Sequence, residues 1–124
     1  MESRRCWTEI DLSVLKKNYH IYKNAQSEER TIMAVIKADA YGHGDVEVAK
    51  TLQKEGCFDF AVSNYAEALK LRSHGIKGQI LILGYTPIQH AQELFENEIT
   101  QTLISEDYAR SLSEMGYPLK AQFA

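Results

Sequence analysis

Five apolar runs of strand length recur along the chain, at residues 31–36, 58–63, 79–84, 100–104 and 119–123. Each is short, rich in β-branched or large apolar residues and bounded by polar or glycine-containing segments, as strands buried on both faces are. Between the runs the apolar positions change to helical spacing: Val46, Ala49 and Leu52; Ala68, Leu69 and Leu71; Leu94 and Phe95; Leu112 and Met115. An earlier stripe, Leu12, Leu15, Tyr19 and Tyr22, precedes the first run and predicts a helix from residue 12 to about residue 24, with Asp11 as its N-cap. Trp7 and the tyrosines are read as core residues.

Punctuation agrees with the periodicity. Asn64, followed three residues later by Glu67, has the spacing of a capping box. Thr86-Pro87 reads as an N-cap and first helical residue, and Ser105 as a further N-cap. Gly56, Gly75 and Gly116 stand where helices end in a left-handed residue. The strands begin near residues 31, 58, 79, 100 and 119, alternating strictly with helices. That order predicts an α/β fold with a parallel sheet and right-handed crossovers. Five strands are short of a closed (β/α)8 barrel, which takes about 250 residues.

One position breaks the pattern. The first strand runs apolar up to Ile36 and then meets Lys37. Counting by twos puts Met33, Val35 and Lys37 on one face. Lysine is seldom buried without a partner, and the carboxyl ends of parallel strands are where ligands bind. An amine there suits Schiff-base chemistry; taken alone, it equally suits a lysine that reaches from a strand end to solvent. Tyr41 follows four residues on, and Gly42 and Gly44 flank His43 just before a helical pattern that starts near Asp45.

Composition narrows the function classes. Of 124 residues, 44% are hydrophobic and 25% charged, as in ordinary globular domains, and the net charge is −3. With no basic run, a general nucleic-acid or anionic-membrane binder is not expected, and no apolar stretch has membrane-spanning length. Residues 1–5 lack the apolar segment of a signal peptide. Cys6 and Cys57 lie far apart and are expected as reduced thiols of a cytoplasmic protein. His20, His43, His74 and His90 show no metal-ligand spacing.

The stretch Val-Ile-Lys-Ala-Asp-Ala-Tyr-Gly-His-Gly at 35–44, with Trp-Thr-Glu-Ile-Asp-Leu at 7–12 and Asn18, resembles the alanine racemase family. The resemblance runs from Trp7 through Phe123. It implies a pyridoxal 5′-phosphate (PLP) enzyme on a β/α barrel, with residues 1–124 forming the N-terminal portion of the barrel domain. Family members continue with a second barrel half and a β-rich carboxyl domain, so a chain of this length is expected to be a fragment, inactive and poorly folded alone. On this resemblance Lys37 matches the Schiff-base lysine and first acid/base, and Tyr41 matches the tyrosine that hydrogen-bonds the PLP phosphate. Leu83 lies near a position beside the cofactor ring, though strand core explains it equally well. The second acid/base would be a tyrosine from the other subunit of a homodimer. Asp39 is read as a solvated turn residue and His43 as turn packing. The implied reaction interconverts L- and D-alanine for peptidoglycan. Serine is an alternative, since racemases of vancomycin-resistance systems share the motif behind a membrane segment. A PLP-homeostasis barrel protein, a fold-III amino-acid decarboxylase and a generic phosphate-binding domain are the competing readings.

Overall fold

The computed structural model describes residues 5–124; the opening residues 1–4, part of the segment read above as lacking a leader's apolar stretch, lie outside it. Six helical segments and five strands alternate: α1 (Leu12–Asn24), β1 (Met33–Val35), α2 (Lys37–Tyr41), α3 (Asp45–Lys54), β2 (Asp59–Val62), α4 (Tyr65–Ser73), β3 (Gln79–Ile82), α5 (Ala91–Glu96), β4 (Thr100–Leu103), α6 (Glu106–Ser113) and β5 (Lys120–Phe123). All five strands pair in parallel in the order β1-β2-β3-β4-β5, leaving β1 and β5 as free edges.

The register explains why the strands are apolar on both faces. Ala34, Phe60 and Ile80 align across the sheet, and they pack with Ile36, Val62 and Ile82 against Val48, Ala49, Leu52, Ala68, Leu71 and Leu94 of the helices. This is the main core. A second cluster joins Leu103 to Ala91, Tyr108 and Leu112 under α5 and α6. The alternate row, Val35, Ala61, Leu81 and Thr100, lines the opposite face of the sheet. Ala61 and Leu81 are buried there, whereas Val35 beside the free edge is 43% exposed.

Asp11 caps α1 as the sequence predicts, its Oδ1 accepting from the amides of Ser13 and Val14 at 2.9 and 3.2 Å. The helix does not bury its whole stripe, however: Tyr19 is in the core, but Tyr22 and Trp7 are exposed, at 68% and 67%. Among the described residues α1 packs chiefly on α3, which leaves much of its stripe uncovered. Helix α3 ends in a Schellman arrangement, the amides of Gly56 and Cys57 donating to Gln53 O and Leu52 O at 3.0 Å each. Helix α5 ends in the same way, but with Glu98, at φ 52°, in the left-handed position.

The reading of Thr86-Pro87 as a helix start fails. Pro87 is extended at ψ 140° and precedes a 3-10 turn, Ile88–His90, so that α5 begins only at Ala91. Thr86 is fully buried and its carbonyl accepts the Tyr108 hydroxyl at 2.6 Å, a tertiary bond that fixes the segment in place of a cap. Beneath the sheet, Arg72 joins the ends of two helices. Its guanidinium donates to the carbonyls of Ile76, Gly78, Asn97 and Glu98 at 2.8–3.0 Å. No helix among the described residues is long and apolar enough to cross a membrane.

Candidate functional site

Lys37 lies one residue past the main β1 ladder, which continues through the Ile36 amide to Ala61 O at 2.9 Å. Two residues beyond the aligned Val35, Ala61 and Leu81 come Lys37, Ser63 and Leu83, past the carboxyl ends of β1, β2 and β3. Leu83 is 41% exposed and therefore no member of the filled core. Adjacent strands are about 4.8 Å apart, so Leu83 stands on the order of 10 Å across the rim from Lys37.

The chain then does something the sequence pattern did not announce. Ala38, Asp39, Ala40 and Tyr41 have φ of 51–57°, so α2 is a single left-handed turn made without glycine. Left-handed backbone costs about 1–2 kcal/mol per L-residue, so surrounding contacts must hold the turn in place. Several do. The amide of Gly44 donates to Asp39 O at 2.9 Å, and that of Ala40 to Ile36 O at 3.0 Å. His43 Nδ1 meets Ala40 O at 2.8 Å, which bears out its reading as turn packing. Tyr41, 61% exposed, projects from the same turn as Lys37.

Asp39 is exposed, as the solvated reading expects, but it also has partners within the turn. Its Oδ1 accepts the Asp45 amide at 3.0 Å and lies 3.8 Å from Lys70 Nζ. The Asp45 amide, ahead of the Lys70 charge, holds the Asp39 carboxyl below its usual range. Buried Asp45 accepts from Lys70 at 2.8 Å, which ties α3 to α4 at the mouth of the turn.

Glu67 departs from the capping box. Asn64 Oδ1 does accept the Glu67 amide at 3.0 Å, as predicted. The carboxylate, however, reaches past the N-cap. It accepts the Ser63 amide at 3.0 Å, the Ser63 hydroxyl at 2.6 Å and the Ala38 amide at 3.3 Å. Desolvation pushes the Glu67 carboxyl up, but the two Ser63 donors, the Ala38 amide and the Lys37 charge together carry it below its ordinary value. The sequence showed Glu67 only as a helix signal; its contact with residue 38 joins positions 29 apart, beyond any local pattern.

A further cluster was missed for the same reason. The Tyr65 hydroxyl donates to Glu93 at 2.7 Å, His90 Nδ1 meets the same carboxylate oxygen at 2.8 Å, and the His90 ring stacks on Tyr65. Burial and the Glu93 bond push the Tyr65 hydroxyl up to about 12. This group locks the 3-10 turn onto α4. Along the free edge of β1 runs an apolar groove lined by Ile10, Val14, Leu15, Val35 and Ile36 among others, but not by Lys37, Tyr41 or Leu83. Lys37 supplies a primary amine and Tyr41 a phenol on one turn, groups whose chemistry suits an aldehyde-bearing ring carrying a phosphate. No His, Cys, Asp and Glu cluster suited to a metal occurs among the described residues.

Comparison with known proteins agrees with this architecture. The alanine racemase of Clostridium perfringens is 44% identical over 116 residues, covering 94% of this chain and 30% of that protein. An amino-acid racemase of Enterococcus faecalis is 42% identical over 120 residues, covering 97% of this chain and 17% of its own length. The solved alanine racemase of Clostridium difficile 630 superposes with a TM-score of 0.81 at 45% identity, over 86% of this chain and 28% of that one. The chain thus spans under a third of each of these relatives. The model of the family described as alanine racemase, N-terminal domain, matches residues 10–123, and the chain belongs to that family.

Proposed function

We propose that the protein carrying this chain is a PLP-dependent amino-acid racemase that interconverts the enantiomers of alanine, with serine as the alternative substrate. The observation that carries the reading is Lys37, set at the carboxyl end of β1 on a held left-handed turn that also bears Tyr41. Lys37 Nζ would hold the aldehyde carbon of the cofactor covalently. The Tyr41 hydroxyl would donate to the phosphate, and Leu83 would pack beside the ring. When bound, PLP supplies an electron sink for the pair left on the substrate α-carbon after its proton departs. Lys37 would take that proton on one face and return it there. Inversion needs a second acid/base on the opposite face. The proposal assigns it to a tyrosine of the other subunit of a homodimer. It also includes residues 1–124 as the N-terminal portion of the barrel domain, a cytoplasmic location and supply of D-alanine for peptidoglycan.

The full-length protein with PLP should exchange the α-hydrogen of L-alanine with solvent deuterium and accumulate D-alanine, and Lys37→Ala should abolish both. L-Serine run in parallel decides between the two substrates. PLP bound at Lys37 without α-hydrogen exchange in either amino acid would favour a PLP-homeostasis protein instead. Carbon dioxide released from a basic amino acid would favour a decarboxylase.

A further inference from the structure

We propose that Glu67 is a positioning residue for Lys37, holding through the Ala38 amide one end of the left-handed turn whose other end Lys70 holds through Asp45. This rests on the reading of Lys37 as the cofactor lysine. The turn satisfies much of its own backbone, through Ala40 to Ile36, Gly42 to Ala38 and Gly44 to Asp39. The amide of Ala38, the first after Lys37, donates outside the turn, to Glu67. Glu67 is in turn fixed by both donors of Ser63, the residue level with Lys37 on the next strand. An ordinary capping-box glutamate returns to the amide of its own N-cap. This one bypasses Asn64, so the start of α4 does not account for where its carboxylate goes.

Lys70 follows Glu67 by three residues and therefore lies on the same face of α4. Its Nζ donates to Asp45 at 2.8 Å and stands 3.8 Å from Asp39, whose carboxylate takes the Asp45 amide. One face of one helix thus grips the turn just after Lys37 and again where it leads into α3. Glu67 also sets a negative charge beside the Lys37 amine. The charged groups around that carboxylate are Lys37 and Asp39 of α2, Asp45 of α3 and Lys70 of α4.

The test uses the full-length protein stripped of PLP and remixed with it. Borohydride trapping at successive times and pH values, with peptide mapping, reports the rate at which Lys37 is labelled. The plateau rate at high pH reads position. Glu67→Ala should lower the plateau rate about tenfold or more, within the 10²-fold that a displacement of about 1 Å costs. Glu67→Gln, which keeps an acceptor for Ala38, should recover part of the plateau rate. Lys70→Met, which replaces a half-exposed side chain, should lower the plateau rate by a smaller factor and answers the question if Glu67→Ala does not fold. Gly75→Ala, at the far end of α4, should lower the melting temperature without changing the plateau rate. A wild-type plateau rate in Glu67→Ala and Lys70→Met, or an equal loss in Gly75→Ala, overturns the inference alone. Absence of label on Lys37 in the unsubstituted protein overturns the cofactor-lysine reading, and this inference with it.

Discussion

Gly84 is the backbone contact on which the site's rim depends, and Gly84→Ala is the perturbation that exposes it. A Cβ built at Gly84 would stand 2.6 Å from the carbonyl oxygen of Ser63, about 0.8 Å inside the 3.4 Å at which ordinary contact begins. Neither side can yield cheaply. Ser63 is held by Glu67 through two bonds, and Gly84 donates to Ser63 O at 3.2 Å while accepting from Gln101 at 2.7 Å. Overlap of this kind costs about 1–3 kcal/mol when backbone must move. The displaced segments carry Ser63 and Leu83, which flank the space in front of Lys37, so the loss extends to function. Displacement approaching 1 Å costs up to about 10²-fold in rate. Gly75→Ala is the matched control. It has φ +80° but nothing within 4 Å of a built Cβ, so it should lose only about 1–2 kcal/mol from backbone strain and leave the site intact. Denaturant midpoints and PLP affinity of the full-length protein, measured for both variants, decide the matter. Wild-type values for both quantities in Gly84→Ala, or a loss of PLP affinity in Gly75→Ala as large as in Gly84→Ala, would refute the reasoning.

Three other outcomes follow from the same contacts. Arg72→Met strips four backbone carbonyls of a charged donor and should lower unfolding free energy by about 3–5 kcal/mol in denaturant titration, charged hydrogen bonds being worth about 1.5–3 kcal/mol each and partly replaced by water. Glu98→Gly places glycine at a left-handed helix end and should raise stability by about 0.5–1 kcal/mol, because its exposed partner Lys120 at 3.8 Å adds little. The Glu67 carboxyl is held below its ordinary value of 4.5, so the unfolded chain binds a proton at higher pH than the folded one. Its stabilising share is therefore full above pH 4.5 and lost as pH falls through the lowered value. An acid-unfolding titration of Glu67→Gln should lack that share of the decline.

The parallel α/β order was legible because continuous apolar runs and 3.6-residue stripes are local signals, and the caps at Asp11, Asn64 and Ser105 obeyed local chemistry. Lys37 was legible because a charge at the end of such a run is locally anomalous. Tyr22 and Trp7 were misread because a stripe shows which side of a helix is apolar, not how much of that side meets a neighbour. Thr86-Pro87 had the local form of a helix start, but the Tyr108 bond from 22 residues away takes the carbonyl and delays the helix. The left-handed turn was hidden for a related reason. Gly42 and Gly44 do take positive φ, but so do Ala38, Asp39, Ala40 and Tyr41 before them, held there by α3 and α4. Contacts across 25 or 29 residues, such as Lys70 to Asp45 and Glu67 to Ala38, leave no periodicity to read.

The central claim is that the Lys37 amine is the point of covalent cofactor attachment. Borohydride reduction of the full-length protein with PLP, followed by peptide mass mapping, tests it most directly. A single pyridoxyl group on Lys37, and none on the Lys37→Ala protein, is the predicted result. A pyridoxyl group on another lysine, or labelling spread among lysines with Lys37 unmodified, would contradict it.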